Sequence, residues 1–539
     1  VSEIIRVIAL AIVTFFIIAV VLVFSNAELS HAVLLRFGLE AEQDATIEDG
    51  RPSVALVPGE SVFAVRQPYR DRWTGLVGFP SNAELRFPLP HDLPVVGGQL
   101  QLVLNTQMVD NGDGLVTVTI NGVQRDALVL DAGTHTRQLL YDLTAADLAG
   151  DAVVVALAGN GTTNHGQICP TNVTNLGAAV ELASSSALLL QLSSPATSDE
   201  ADLVTMPGPL RLDMSGLDGP IWAAQYLNRM AVPAELADVE TADLLVALEQ
   251  SEMLLRDDAG HFAVGGISGV EHLALLRGGA LPAVYGQSWP VPVEALGADL
   301  QANTFRGSRR WEINYKLADL PQGMAPDVLN LNLATSTLGA PYEWVVRVIL
   351  NDQLIYSAQH DGRSDSISQD IVLPADATGL TNRIVVVLTD PSPNQGICRA
   401  GPEAAAQMLD TTTFRYTSSR PANARESVVG LLAAAESVSF NAEPTLGEAG
   451  AAQASGLLDL VLPLTTPIRF GTKEAPVSID AVDQQAIDTL LAGGIDDGEA
   501  YIVFAGHGSD PTRVEVEALS ADTAPHLGSN GSALVVRWQ

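Results

Sequence analysis

Cysteine is almost missing from this chain, with 2 residues in 539. That excludes a disulfide framework and a cysteine-built metal cage. Basic residues are scarce beside acidic ones, 28 Lys and Arg against 63 Asp and Glu, for a formal net charge of −35. Such a surface repels phosphate backbones and argues against a nucleic-acid partner. Lysine is nearly absent beside arginine, and aromatics make up only 5%. Long hydrophobic runs are equally rare. Only Ile4 to Phe24 reaches the ~20 apolar residues that span a bilayer. No phosphate-binding loop, dinucleotide fingerprint or Asp-x-Asp pair occurs. No cofactor, catalytic residue or metal-ligand set is assigned.

What is present is a domain-sized repeat. Arg86 to Leu190 resembles Ile313 to Tyr416. Each copy holds a strand and turn, Val116 to Gly122 and Val345 to Asp352, then an apolar strand, Val153 to Leu157 and Ile384 to Leu388. Each then reaches a cysteine motif, Gly166-Gln-Ile-Cys169 and Gln395-Gly-Ile-Cys398, at nearly the same interval. Self-similarity on this scale predicts a duplicated domain. A Cys169–Cys398 disulfide would need the two loops to meet; two separate thiols is the other reading. In the first copy, short alternating runs at Leu100–Leu104, Val116–Ile120, Ala127–Leu130, Val153–Leu157 and Ala187–Leu190 are split by turn residues. That spacing predicts an all-β sandwich or jelly roll.

Taken in order, residues 1–27 read as a transmembrane anchor or signal. The length of the apolar run favours an uncleaved anchor, and Arg6 before it places the bulk outside. Residues 28–81 are lead-in strands, 82–193 the first β-sandwich and 302–418 the second. Between them, 203–301 reads as a small α/β domain, with helical spacing over Trp222–Met230 and Val239–Leu255 and a strand at Leu281–Tyr285. Residues 424–539 repeat that character: helix over Glu426–Ser437, strand over Leu457–Leu462, helix over Asp483–Leu491, and strands at Tyr501–Phe504 and Leu534–Trp538. The order β, α/β, β, α/β is a tandem duplication of a two-domain unit.

Chemistry-bearing patterns are weak. Gly266-Ile-Ser268-Gly-Val270 begins like a nucleophile elbow but has Val270 in the place of the last glycine. Asp110 to Gly114 resembles the start of a calcium loop, yet a hairpin turn explains it. Gly506-His507-Gly508 has no partner at metal-ligand spacing. Exposed aromatics could stack sugar rings while polar side chains read hydroxyls. The aromatic candidates are Trp73, Tyr342 and Trp344, with Trp311 and Tyr315 nearby; core packing is the alternative for each. The polar stretch Asn160 to Asn175 contributes Asn160, Asn164, His165 and Gln167, and its counterpart contributes Asn394, Gln395 and Arg399. Each stretch reads equally as a hydroxyl-reading surface or a solvated loop.

The lead-in Phe305-Arg-Gly307, the strand and turn Val345 to Asp352, and Asn394-Gln-Gly-Ile-Cys398 with Thr411-Thr-Thr-Phe-Arg-Tyr416 give the chain a likeness. It resembles the family of periplasmic regulatory subunits of bacterial cellulose synthase. The resemblance implies jelly-roll, carbohydrate-binding-like β domains alternating with flavodoxin-like α/β domains. It implies a non-catalytic regulatory subunit in the periplasm, held at the inner membrane. Its implied partners are the catalytic synthase subunit that uses UDP-glucose, the emerging glucan chain and, through the N-terminal helix, the lipid bilayer. The family carries a C-terminal transmembrane helix, whereas Leu534 to Trp538 reads as a strand and the anchor here is N-terminal. Two other classes stay open: an envelope polysaccharide hydrolase or esterase with a carboxylate pair, and a β-sandwich adhesion protein.

Overall fold

The computed structural model describes residues 61–538 except 67–74, 80, 111, 164–175, 197, 207, 249–254, 257–260, 306, 339–340, 392–403, 471–474, 493–499, 506–513, 520–526 and 528–530. The fold is mixed and strand-rich, with several sheets. The hydrophobic run Ile4–Phe24 lies outside the described residues. Among the described residues, no helix is long and apolar enough to cross a membrane.

The first β unit is a pair of antiparallel sheets. Its six-stranded sheet runs Val62–Arg66, Ala187–Leu192, Val95–Met108, Leu176–Leu182 and Gly75–Phe79, with Gly133–Leu143 also paired to Val95–Met108. Its four-stranded sheet runs Ser81–Pro88, Ala152–Thr163, Gly112–Ile120 and Val123–Leu130. The second unit repeats this order strand for strand. Val291–Pro292, Thr413–Arg415, Val328–Thr335, Ala404–Met408 and Asn303–Phe305 form its six-stranded sheet, with Ser366–Val372 on Val328–Thr335. Ser308–Lys316, Thr381–Thr389, Glu343–Leu350 and Gln353–Asp361 form its four-stranded sheet.

Alternation decides what each sheet buries. In Val328–Thr335, Leu329, Leu331 and Leu333 are fully buried between the sheets while Asn330 and Asn332 point outward. Each such leucine contributes about 1.5–3 kcal/mol of burial. The hairpin turns repeat as closely as the strands. Asn121 and Gly122 have φ of 48° and 77°; Asn351 and Asp352 have 47° and 67°. Asparagine tolerates the left-handed region that such tight turns demand. Its side chain also fastens the turn. Asn121 Nδ2 donates to the Asp147 carbonyl and Oδ1 accepts from Val154 N. Asn351 makes the equivalent bonds to the Ala377 carbonyl and Arg383 N. By contrast, Asp110 to Gly114 is not a hairpin. The strands on either side, Val95–Met108 and Gly112–Ile120, lie in different sheets.

Between and after the β units lie two α/β regions. Helices α1 (Asp199–Thr205), α2 (Asp218–Arg229) and α3 (Gly266–Leu276) accompany a five-stranded sheet ordered Ala234–Ala237, Leu210–Asp213, Leu244–Ala247, Phe262–Gly265 and Leu255–Arg256, parallel but for the last. Helices α4 (Ala424–Ala434), α5 (Glu448–Val461) and α6 (Gln484–Ala492) accompany a six-stranded sheet. Its parallel part, Ile468–Phe470, Val438–Ala442 and Val477–Val482, has the same order as the first three strands of the other; Ala533–Trp538, Ala500–Ala505 and Val514–Ala518 then run antiparallel. Helix α4 starts in a capping box between Asn423 and Glu426. Arg277 caps the end of α1, donating to the Leu203, Met206 and Gly208 carbonyls at 2.6–2.8 Å.

Three sequence expectations fail here. Leu457–Leu462 falls largely in α5, whose Ala451, Ala454, Leu458 and Val461 are buried at helical spacing. Within Val239–Leu255, Leu244–Ala247 is a parallel strand. Its four residues are a short continuous apolar run, which periodicity cannot tell from a helix segment. Leu281–Tyr285 is a turn.

Candidate functional site

Of the residues read as sugar-facing, Trp73, Asn164, His165, Gln167, Asn394, Gln395 and Arg399 lie outside the described residues, as do Cys169, Cys398 and His507. Asn160 is half-buried, on the outward face of the first four-stranded sheet opposite Leu115. Tyr342 is half-buried just before Glu343–Leu350. Trp344 is corrected: it is fully buried, on the inward face with Val346, Val348 and Leu350, and its ring lies 6.0 Å from that of Phe305. No solvent-side sugar can stack on it. Trp311 and Tyr315 are core residues too, Trp311 beneath the Arg309 guanidinium at 4.6 Å and Tyr315 against Phe414 at 5.3 Å. Of the described candidates, Asn160 lies in the first β unit and Tyr342 and Trp344 in the second.

The nucleophile-elbow pattern does sit at a strand-to-helix turn, with Gly266 at φ 67°. Ser268 lies two residues further on, in the first turn of α3, and hydrogen-bonds to no base among the described residues. Among those residues no cluster of three or more His, Cys, Asp or Glu side chains could hold a metal ion.

A different surface is organised. On the outward face of the second unit's six-stranded sheet, neighbouring strands bring amides, hydroxyls, a carboxylate and a guanidinium into one ladder. Asn330 Nδ2 donates to Asp370 Oδ1 at 2.6 Å, and Arg415 Nη2 lies 2.5 Å from Asp370 Oδ2. Asn332 Nδ2 donates to Asn330 Oδ1 at 2.6 Å and to the Thr411 carbonyl at 3.0 Å, while Ser368 Oγ donates to Asn332 Oδ1 at 2.7 Å. Hydrogen bonds from Asn330 and Arg415 hold the Asp370 carboxyl below the usual carboxylate range. Ser368 and Asp370 are exposed, and the remaining members are half-buried. The ladder thus fixes its own side chains and keeps spare lone pairs and hydrogens toward solvent. Such a preordered set can exchange hydrogen bonds with a hydroxylated chain at little cost in side-chain entropy.

The first unit places a related set on the same sheet. Gln99 Nε2 donates to Asp142 Oδ1 at 2.7 Å, Thr136 Oγ1 to Asn105 Oδ1 at 2.9 Å, and Asn105 Nδ2 to Glu181 Oε2 at 3.4 Å. Here, however, the outward positions Gln99, Ala187 and Leu189 are buried. The open ladder is therefore in the second unit. Sequence reasoning missed Asn330 and Asn332, although their alternation with three leucines was a legible signal. Asp370 and Arg415 join them only through strand pairing.

No protein-family model matches the chain, and no curated protein matches it. Solved structures with local likeness include dimeric latent PorU from Porphyromonas gingivalis, at 10% identity over 76% of this chain and 25% of that one, with a TM-score of 0.16. An acetyl xylan esterase from Butyrivibrio proteoclasticus is 10% identical over 34% of this chain and 46% of its own, with a TM-score of 0.14. A family two carbohydrate esterase from Clostridium thermocellum, solved with cellohexaose, is 13% identical over 30% and 45%, with a TM-score of 0.13. The chain spans from a quarter to under half the length of these three structures. Likeness this slight carries no argument about fold or function.

Proposed function

We propose that the chain is a non-catalytic, glycan-facing subunit of a bacterial exopolysaccharide synthase, with cellulose as the leading glycan. In this reading the two β units are jelly-roll-like carbohydrate-binding modules and the α/β regions are flavodoxin-like spacers that hold them. The segment before residue 28 anchors the chain in the inner membrane, and the bulk lies in the periplasm. There it supports the catalytic subunit that uses UDP-glucose and receives the emerging glucan.

The observation that carries the reading is the open ladder of Asn330, Asn332, Ser368, Asp370 and Arg415. It is an open row of hydroxyl-matching groups on the outward face of a sheet. An open polar face suits a long neutral polymer that must be held weakly and passed on.

The test joins two measurements on the full chain. Co-expression with a processive β-1,4-glucan synthase should give a complex that survives affinity purification. Electrophoresis through gels containing a soluble β-1,4-glucan should show retardation, with no release of reducing sugar. Glucan turnover abolished by a single carboxylate substitution would overturn the proposal and favour the hydrolase or esterase reading.

A further inference from the structure

A second surface of different shape lies where three parts of the chain meet. Pro282–Gln287 leaves the first α/β region, Ala318–Gln322 belongs to the second β unit, and Leu464–Thr465 follows α5. Together they line a cleft of about 110 Å³. One guanidinium ties its walls together. Arg229, at the end of α2 and 1% exposed in its side chain, donates through Nε to Asp319 Oδ1 at 2.8 Å; its Nη2 lies 2.7 Å from the same oxygen. Its Nη1 donates to the Leu462 carbonyl.

Three features define what the cleft can take. Arg229 neutralises Asp319, the only charged side chain in the lining, so the pair brings no net charge. Asp319 Oδ1 takes both guanidinium contacts, and Oδ2 has no hydrogen-bond partner among the described residues. The exposed side chains of Tyr285, Gln322 and Thr465 also hydrogen-bond to nothing among those residues, around a floor of Val284, Leu320 and Pro321. The set combines an aromatic ring, an apolar floor, and spare donors and acceptors with no net charge. That is the chemistry of a pyranose ring, which offers C–H faces and a rim of hydroxyls. The volume falls below the ~300 Å³ of pockets that enclose larger ligands, so a bound ring would stay partly in solvent. It suits one ring entering from an end, not a passing strand.

We infer that this three-way cleft binds a single neutral sugar unit or the end of a glycan chain, with Tyr285 as the stacking face and Asp319 Oδ2 as a hydroxyl acceptor. The inference rests on the glycan-facing reading above and adds a second, end-directed site to it. Because the walls belong to three parts of the chain, occupancy would also brace their mutual packing.

The experiment is saturation-transfer NMR and calorimetry with cellobiose on the full chain. Cellobiose should bind, and Tyr285→Ala should weaken it by roughly tenfold, the loss of one stacking contact. Gln322→Ala and Thr465→Ala, both exposed, should each weaken it by a few fold. Gln353→Ala, exposed on the second unit's four-stranded sheet and outside both surfaces, should leave it unchanged. Asp319→Asn is a poor sole test because it strips a buried arginine of its counter-charge. Absence of cellobiose binding, or binding indifferent to Tyr285→Ala, would overturn the inference. Retardation by long glucan would then show separately whether the glycan-facing reading survives. Loss of both would sink the two together.

Discussion

Where the second β unit buries Trp344, the first has Gly114; where the second buries Leu388, the first has Gly159. The correspondence follows by counting along the strands from the turn residues Asn121 and Asn351. A Cβ on Gly114 would lie 2.9 Å from Met108 Sδ, and one on Gly159 would lie 2.2 Å from the Phe79 ring. The first unit thus fills its core from Phe79, Met108 and Leu130, leaving two strand positions bare. The second fills it from Trp344 and Leu388 on those strands themselves. One strand plan tolerates both solutions because a core needs total volume and alternation more than particular residues.

The sharpest way to break this comparison is Trp344→Ala. It empties a fully buried site whose aromatic neighbour is Phe305. It should cost about 3–5 kcal/mol, read as a lowered denaturation midpoint of the second unit. An unchanged midpoint would mean that Trp344 is not the filler of that core. The converse change, Gly159→Ala, should cost about 1–3 kcal/mol by overpacking. Phe79→Ala combined with Gly159→Leu should recover part of the loss, moving the first unit toward the second unit's solution. If Gly159→Ala is neutral, the two cores are not alternative packings of one plan.

The turn asparagines test what the units share. Asn121→Ala and Asn351→Ala each remove the two side-chain hydrogen bonds that the turns share and put a Cβ-bearing residue without a local acceptor at positive φ. Each should cost about 2 kcal/mol, measured by urea denaturation. Asn351 also bonds to Asn382 Oδ1 at 3.0 Å, so its loss should be the larger of the two. A difference of several fold in free energy would show that the repeated turn serves different ends in the two units.

Much of this was written in the sequence. Strict alternation placed the strands, and the paired Asn turns located the repeat. The inward place of Trp344 was legible as well, since Arg347 marks the opposite parity of Glu343–Leu350 as the outward one. The strand at Leu244–Ala247 was not, because a short apolar run carries no period that separates it from a helix; the apolar end Leu457–Leu462 has the same ambiguity, and only the longer spacing of Ala451, Ala454, Leu458 and Val461 marks the helix. The ladder was half legible. Asn330 and Asn332 alternate with leucines on one strand, but Asp370 and Arg415 meet them only across the pairings Asn330–Asp370 and Val328–Arg415. Pairing between distant strands is set by the whole sheet.

The smallest effects concern the outward faces. Asn330→Ala with Asn332→Ala should reduce glucan retardation by roughly tenfold. Asn105→Ala on the first unit should do less, because that face is closed at Gln99, Ala187 and Leu189. Equal losses would erase the distinction between the two faces. Asp370→Asn should leave stability within about 0.5 kcal/mol, as for other exposed positions, and should act on binding alone. Its pH dependence has a fixed sign. Hydrogen bonds from Asn330 and Arg415 depress the folded-state ionisation of Asp370. The charged ladder is therefore fully formed above the unfolded value of about 3.9 and is lost as pH falls through the lower folded value. Retardation should stay flat from neutral pH down to about that unfolded value and fall only below it. In Asp370→Asn that fall should vanish. A decline already present near pH ~5, well above the ordinary carboxylate value, would mean that Asp370 does not hold the ladder together.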